Sequence, residues 1–121
     1  HLRVALHTDI EKILLDIDTA IPLGLILNEL ISNTLKHAFP DGRNGTLSIS
    51  GHVTDDVLSL VVKDDGAGMP QDYNWKDTPS LGLRLINSLV DQLGGAIEKR
   101  EGEGTMFIIT INRKTNRGSS T

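Results

Sequence analysis

The stretch Leu23-Gly24-Leu25-Ile26-Leu27-Asn28-Glu29-Leu30-Ile31-Ser32-Asn33-Thr34-Leu35-Lys36-His37-Ala38-Phe39 decides how the rest of the chain is read. Leu23, Leu27, Leu30, Ile31, Thr34, Leu35 and Ala38 recur at helical spacing, and Pro40-Asp41-Gly42 supplies the stop, so a helix is predicted over 23–39. Ahead of it, Asp18 and Thr19 offer capping oxygens and Pro22 falls where a first-turn proline loses no hydrogen bond. At about 100° per residue, Glu29, Asn33, Lys36 and His37 share one sector, while Leu27, Ile31 and Ala38 point the other way. Four polar groups thus converge on one surface. An asparagine carbonyl is a hard oxygen suited to a magnesium shell, a lysine places a point charge on phosphate, and a glutamate four residues before the asparagine can orient water. Read alone, the same sector is a solvated helix face with i,i+4 spacing.

Working outward, Arg3–Ile10 and Lys12–Ile17 are apolar-rich runs of strand length, predicted as edge strands. Thr46–Val53 and Val57–Lys63 flank Asp55-Asp56 as a β-hairpin. Residues 69–79, with Pro70, Pro79 and Trp75, lack periodicity and read as a mobile polar loop. Leu81–Leu93 resumes helical spacing and closes on Gly94-Gly95. A second hairpin, Ala96–Glu101 with Thr105–Ile111, turns at Gly102-Glu103-Gly104. The expected architecture is an α/β (α+β) two-layer sandwich: a mixed, mostly antiparallel sheet with helices packed on one face. Residues 1–113 form one domain in this reading and 114–121 a disordered tail.

Composition bounds the function. With 121 residues the chain suits one core. Lacking cysteine, it has no disulfide or thiol chemistry, which suits the cytoplasm. A net charge of −4 with scattered basic residues argues against a nucleic-acid surface. No apolar run reaches the roughly 20 residues that cross a bilayer. Beginning at His1-Leu2-Arg3 without a methionine, the sequence reads as a fragment of a longer protein.

Two further segments carry chemistry. Lys63-Asp64-Asp65-Gly66-Ala67-Gly68 ends an apolar strand in a carboxylate that can accept a hydrogen bond from the exocyclic amine of adenine, and Gly66 and Gly68 let backbone approach a flat base. An ordinary Asp-Gly turn would look the same but would return a partner strand at once. Here a polar loop follows instead. Ser80-Leu81-Gly82-Leu83-Arg84 opens the second helix, whose free N–H groups suit phosphate, although no Walker loop is present. Gly102, Gly104 and Thr105 read equally as a turn feeding a core strand.

In this order the three segments resemble the nucleotide site of the GHKL superfamily, and within it the ATP-binding catalytic domain (HATPase_c) of sensor histidine kinases, with a Bergerat-type fold. The resemblance runs from about Val4 to Ile111. It implies ATP and Mg²⁺ as cofactors, Asn33 as the magnesium ligand, and Glu29 and Asn33 as catalytic residues. It also implies nucleotide contacts from Asn33, Lys36, His37, Asp64, Gly66, Gly68, Met69, Leu81, Gly82, Leu83, Arg84 and Thr105. Asp64 would read adenine, with Thr105 supporting it. Asp65 departs from the family's frequent asparagine and Ser80 from its glycine. The implied activity is donation of the γ-phosphoryl group to a histidine on a separate helical dimerisation domain in two-component signalling, with a response regulator downstream. The chain's own His1, His7, His37 and His52 lie in no helical phosphoacceptor pattern, so the isolated domain is expected to be monomeric and not to label itself. No direct membrane contact is expected. The alternatives are a serine kinase of the anti-sigma-factor type, a GHKL ATPase module, and a degenerate docking domain without activity.

Overall fold

Alternating side chains decide the sheet. In the computed structural model, which describes residues 4–37, 45–66, 81–102 and 104–112, the elements run β1 (Val4–Ile10), α1 (Ile17–His37), β2 (Gly45–Thr54), β3 (Val57–Asp64), α2 (Leu81–Gln92), β4 (Ala96–Glu101) and β5 (Thr105–Asn112). Five strands form one sheet in the order β1-β2-β3-β5-β4. β1 lies parallel to β2, and the other three pairings are antiparallel. The one parallel pair is the one joined through α1, as a crossover connection requires.

Leu47 and Ile49 on β2, Leu58, Leu60 and Val62 on β3, and Phe107, Ile109 and Ile111 on β5 are buried, and the residues between them are not. This period of two gives the sheet one apolar face. Leu23, Ile26 and Leu30 of α1 and Ile86, Leu89 and Val90 of α2, with Leu93, cover that face and complete the core. The expected two-layer arrangement is therefore the observed one.

Local expectations fail in three places. Residues 11–16 are not a strand. The Glu11 N–H donates to the Gly51 carbonyl (3.2 Å) and its carboxylate accepts from the Val53 N–H, so the chain leaves the sheet there. From this irregular segment Ile13 and Leu15 pack against the core, while Leu14 and Ile17, the first residue of α1, are exposed. The first helix also begins six residues early, at Ile17. Its opening carbonyl belongs to Asp16, which accepts from Thr19 N–H (3.0 Å) and Ala20 N–H (2.8 Å). Asp18 and Thr19 accordingly sit in the first turn instead of capping it, and Pro22 lies buried inside the helix, where it lacks the N–H that would return to the Asp18 carbonyl. Finally, the buried stripe of α1 is Leu23, Ile26, Leu30 and Thr34, with Leu27 and Ile31 half-buried and Leu35 exposed. The polar sector flanks this stripe; it does not oppose it.

Turn chemistry agrees with the sequence. Asp55 and Asp56 take φ of 53° and 64°, the two left-handed positions of a tight hairpin turn. α2 closes with Gly94 at φ 66°, its N–H donating to Asp91 (3.0 Å) while Gly95 N–H donates to Val90 (3.0 Å). That pair of bonds is a Schellman cap. The 69–79 loop and the tail after Asn112 lie outside the described residues.

A β-carbon at Gly94 or at Gly102 would meet nothing within 4 Å, but only Gly94 is left-handed. Gly94→Ala should therefore lower stability by about 1 kcal/mol through backbone strain alone, and Gly102→Ala should be near neutral, as read from urea midpoints.

Candidate functional site

Two groups of polar side chains are brought together by the fold, one where β3 ends beside the start of β5 and one between α1 and α2. β3 delivers Asp64 to the first of these with its side chain turned inward, 4% exposed. Its Oδ1 accepts from the Gly66 N–H at 2.9 Å, a local turn that aspartate favours. Across the β3–β5 ladder, where Lys63 pairs with Met106, the next inward position on β5 is Thr105, also 4% exposed. Gly104 packs directly on Asp64: a β-carbon there would run into the Asp64 carbonyl and lie 3.1 Å from Oδ1. Its φ of 153° is likewise one that only glycine adopts readily. The turn and the carboxylate are thus fitted to each other. A cavity of about 390 Å³ opens at this strand end, with Asp64, Asp65, Gly104 and Thr105 among its walls together with Lys63 and Met106.

Asp65 borders the same cavity, but it is exposed and its carboxylate is engaged by the sheet. Its Oδ1 accepts from the Thr46 N–H at 2.8 Å and its own N–H donates to the Thr46 carbonyl at 3.3 Å, so it extends the β2–β3 pairing beyond the strand. Residue 65 thus has a structural role in the sheet, one that an asparagine Oδ1 would fill as well.

The helices bring together a second group of polar side chains. Glu29 and Asn33 are half-buried on α1 and Lys36 is exposed. Gly82, in the first turn of α2, lies against both: its missing β-carbon would stand 2.5 Å from Glu29 Oε2 and 3.7 Å from Asn33 Nδ2. Nδ2 of Asn33 is buried and has no hydrogen-bond partner among the described residues. An unsatisfied buried amide beside a carboxylate and a helix start suits a polar ligand. Arg84 is exposed, and the backbones of Leu81 and Leu83 belong to the same first turn. Gly68, Met69 and the side chain of His37 lie outside the described residues.

Sequence reading missed one charged pair. On β4, Lys99 faces the helix layer with its side chain 8% exposed and pairs with Glu101 at 2.8 Å, one strand beyond Thr105. The signal was present, since Ile97-Glu98-Lys99 alternation places a lysine on the apolar face.

The family model for histidine kinase-, DNA gyrase B- and HSP90-like ATPases matches residues 18–115. The chain belongs to that family. Among curated relatives it is 34% identical over 113 residues to blue-light-activated histidine kinase 2 of Erythrobacter litoralis, covering 90% of this chain and 33% of that protein. It is 34% identical over 101 residues to the sensor histidine kinase PdtaS of Mycobacterium tuberculosis, covering 80% of this chain and 20% of that protein. The solved histidine kinase domain of a blue-light-activated histidine kinase from Erythrobacter litoralis superimposes with a TM-score of 0.89 at 29% identity, over 95% of this chain and 54% of that one. The chain thus spans only about a third and a fifth of the two curated relatives. Within the family its likeness is to the ATP-binding catalytic domains of sensor histidine kinases. No helix among the described residues is long and apolar enough to cross a membrane.

If Asp65 serves the sheet and not the ligand, Asp65→Ala should lower stability by about 1 kcal/mol, the worth of one hydrogen bond. Calorimetric ATP affinity should stay within about threefold, under 1 kcal/mol.

Proposed function

We propose that this domain holds Mg²⁺-ATP between α1, the end of β3 and the first turn of α2, and presents its γ-phosphoryl group to a histidine on a separate helical dimerisation domain, from which a response regulator receives it. The observation that carries this reading is the buried, unpartnered Asn33 amide beside Glu29 and the start of α2. The residues present fit the cofactor. Asn33 offers Oδ1 to a hard cation and Nδ2–H to a phosphate oxygen, which would satisfy the amide. Among the described residues no cluster of three or more His, Cys, Asp or Glu could hold a metal, so a cation here would share Asn33 with phosphate oxygens and water. When bound, Mg²⁺ neutralises phosphate charge during transfer.

The remaining roles belong to the chain itself. Asp64 accepts from the exocyclic amine of adenine; guanine presents an oxygen at that place and is repelled. Thr105 and the Gly104 turn keep that carboxylate in position, and Gly66 borders the base. Free N–H groups at Leu81, Gly82 and Leu83 face phosphate, while exposed Lys36 and Arg84 serve phosphate or the partner domain. Glu29 accepts a hydrogen bond from the incoming imidazole N–H, which leaves the other ring nitrogen as nucleophile. Catalysis then rests on positioning and charge. The isolated domain, residues 1–113, is monomeric and works in the cytoplasm, alone or as part of a membrane-anchored sensor.

Asn33→Ala should lower Mg²⁺-ATP affinity at least tenfold, about 1.4 kcal/mol. Stability should hold or rise, because an unsatisfied buried amide is removed. Supplied with its own helical histidine domain and labelled ATP, the chain should place an acid-labile, alkali-stable label on that domain and none on itself. An acid-stable label would move the reading to a serine kinase, and fast hydrolysis without a partner would move it to an ATPase with Glu29 activating water.

A further inference from the structure

Gly82 is a glycine without a conformational reason to be one. It lies in the first turn of α2, and its φ is not left-handed. What sets it apart is space. A β-carbon at this position would stand 2.5 Å from Glu29 Oε2 and 3.6 Å from Glu29 Cδ. The first of these is well inside the roughly 3.5 Å at which non-bonded heavy atoms settle. The obstacle is the tip of a flexible side chain, so the helix can keep its place while the carboxylate swings aside. Gly104 differs, because a β-carbon there meets the Asp64 backbone, which cannot move without the strand.

We propose that Gly82 is a positioning residue: its missing side chain is the gap that keeps the Glu29 carboxylate beside the Asn33 amide. This rests on the Mg²⁺-ATP reading above, and it assigns Gly82 a second task besides admitting phosphate. α1 presents Glu29 one turn before Asn33, and the start of α2 closes over both. The three atoms nearest a methyl group in the gap belong to Glu29 and Asn33, and none of them to the buried core cluster. The methyl group moves Glu29, and with Glu29 the surroundings of the unpartnered Nδ2. The substitution is therefore tolerated by the fold and damaging to the site.

The test is a double-mutant cycle on the 121-residue chain: Gly82→Ala, Glu29→Ala and the double variant, each measured for Mg²⁺-ATP affinity by calorimetry and for urea midpoint. The nitrogen-15 resonance of the Asn33 side-chain amide is followed without nucleotide, assigned by its loss in Asn33→Asp. Gly82→Ala should leave the midpoint unchanged, shift the Asn33 resonance and weaken Mg²⁺-ATP about tenfold, yet change affinity by less than about threefold once Glu29 is alanine, the signature of two coupled sites. Equal loss in both backgrounds, an unmoved Asn33 resonance, or unfolding of Gly82→Ala would overturn the proposal. Failure of the unmutated chain to bind Mg²⁺-ATP would sink the nucleotide reading instead, while the nucleotide-free resonance still decides whether Gly82 places Glu29.

Discussion

A carboxylate buried at the end of a strand is the constraint around which this domain is arranged. Asp64 is 4% exposed, and desolvating such a group is unfavourable unless donors face it. The chain answers locally, with the Gly66 N–H on Oδ1 and a turn at Gly102–Gly104 so close that only glycine fits at 104. Placing Asp64 inward also fixes the register of β3. A slip of one residue would turn Lys63 into the core and expose Leu58, Leu60 and Val62 together. Site and core therefore share one alternation.

That sharing explains how much was legible in the sequence. The hairpins, the second helix with its glycine stop, and the two-layer plan follow from periods of two and 3.6 that burial alone enforces. Asp64 and Thr105 are readable because they continue the inward positions of β3 and β5. Residues 11–17 misled for the opposite reason: Ile13, Leu14, Leu15 and Ile17 look like a strand, but Leu14 and Ile17 are left exposed and the backbone is tied down by Glu11 instead. Ile13 and Leu15 pack against the core without strand pairing, so alternating burial alone does not make a strand. The start of α1 escaped because its opening carbonyl belongs to Asp16, and a backbone cap leaves little mark on side-chain composition.

The site was legible in its residue types but not in its contacts. A helical wheel places Glu29 and Asn33 together, yet only the fold brings Gly82 against them and leaves the Asn33 amide buried without a partner. The same holds for Asp65, which the sequence marks only as a departure from the family's asparagine and whose carboxylate ties the end of β3 to Thr46. Adjacent aspartates at one strand end thus divide their work by the direction each side chain faces. An unsatisfied amide held between two helices lowers stability, and such local losses are tolerated where a ligand will make them good.

The central claim is that the inward carboxylate at the end of β3 reads adenine. Calorimetric titration of the unmutated chain with Mg²⁺-ATP and with Mg²⁺-GTP tests it most directly, because the two ligands differ only in the base. The account predicts binding of ATP and a loss with GTP of at least about 1.5 kcal/mol, the worth of a hydrogen bond to a charged group. Equal affinities would contradict it.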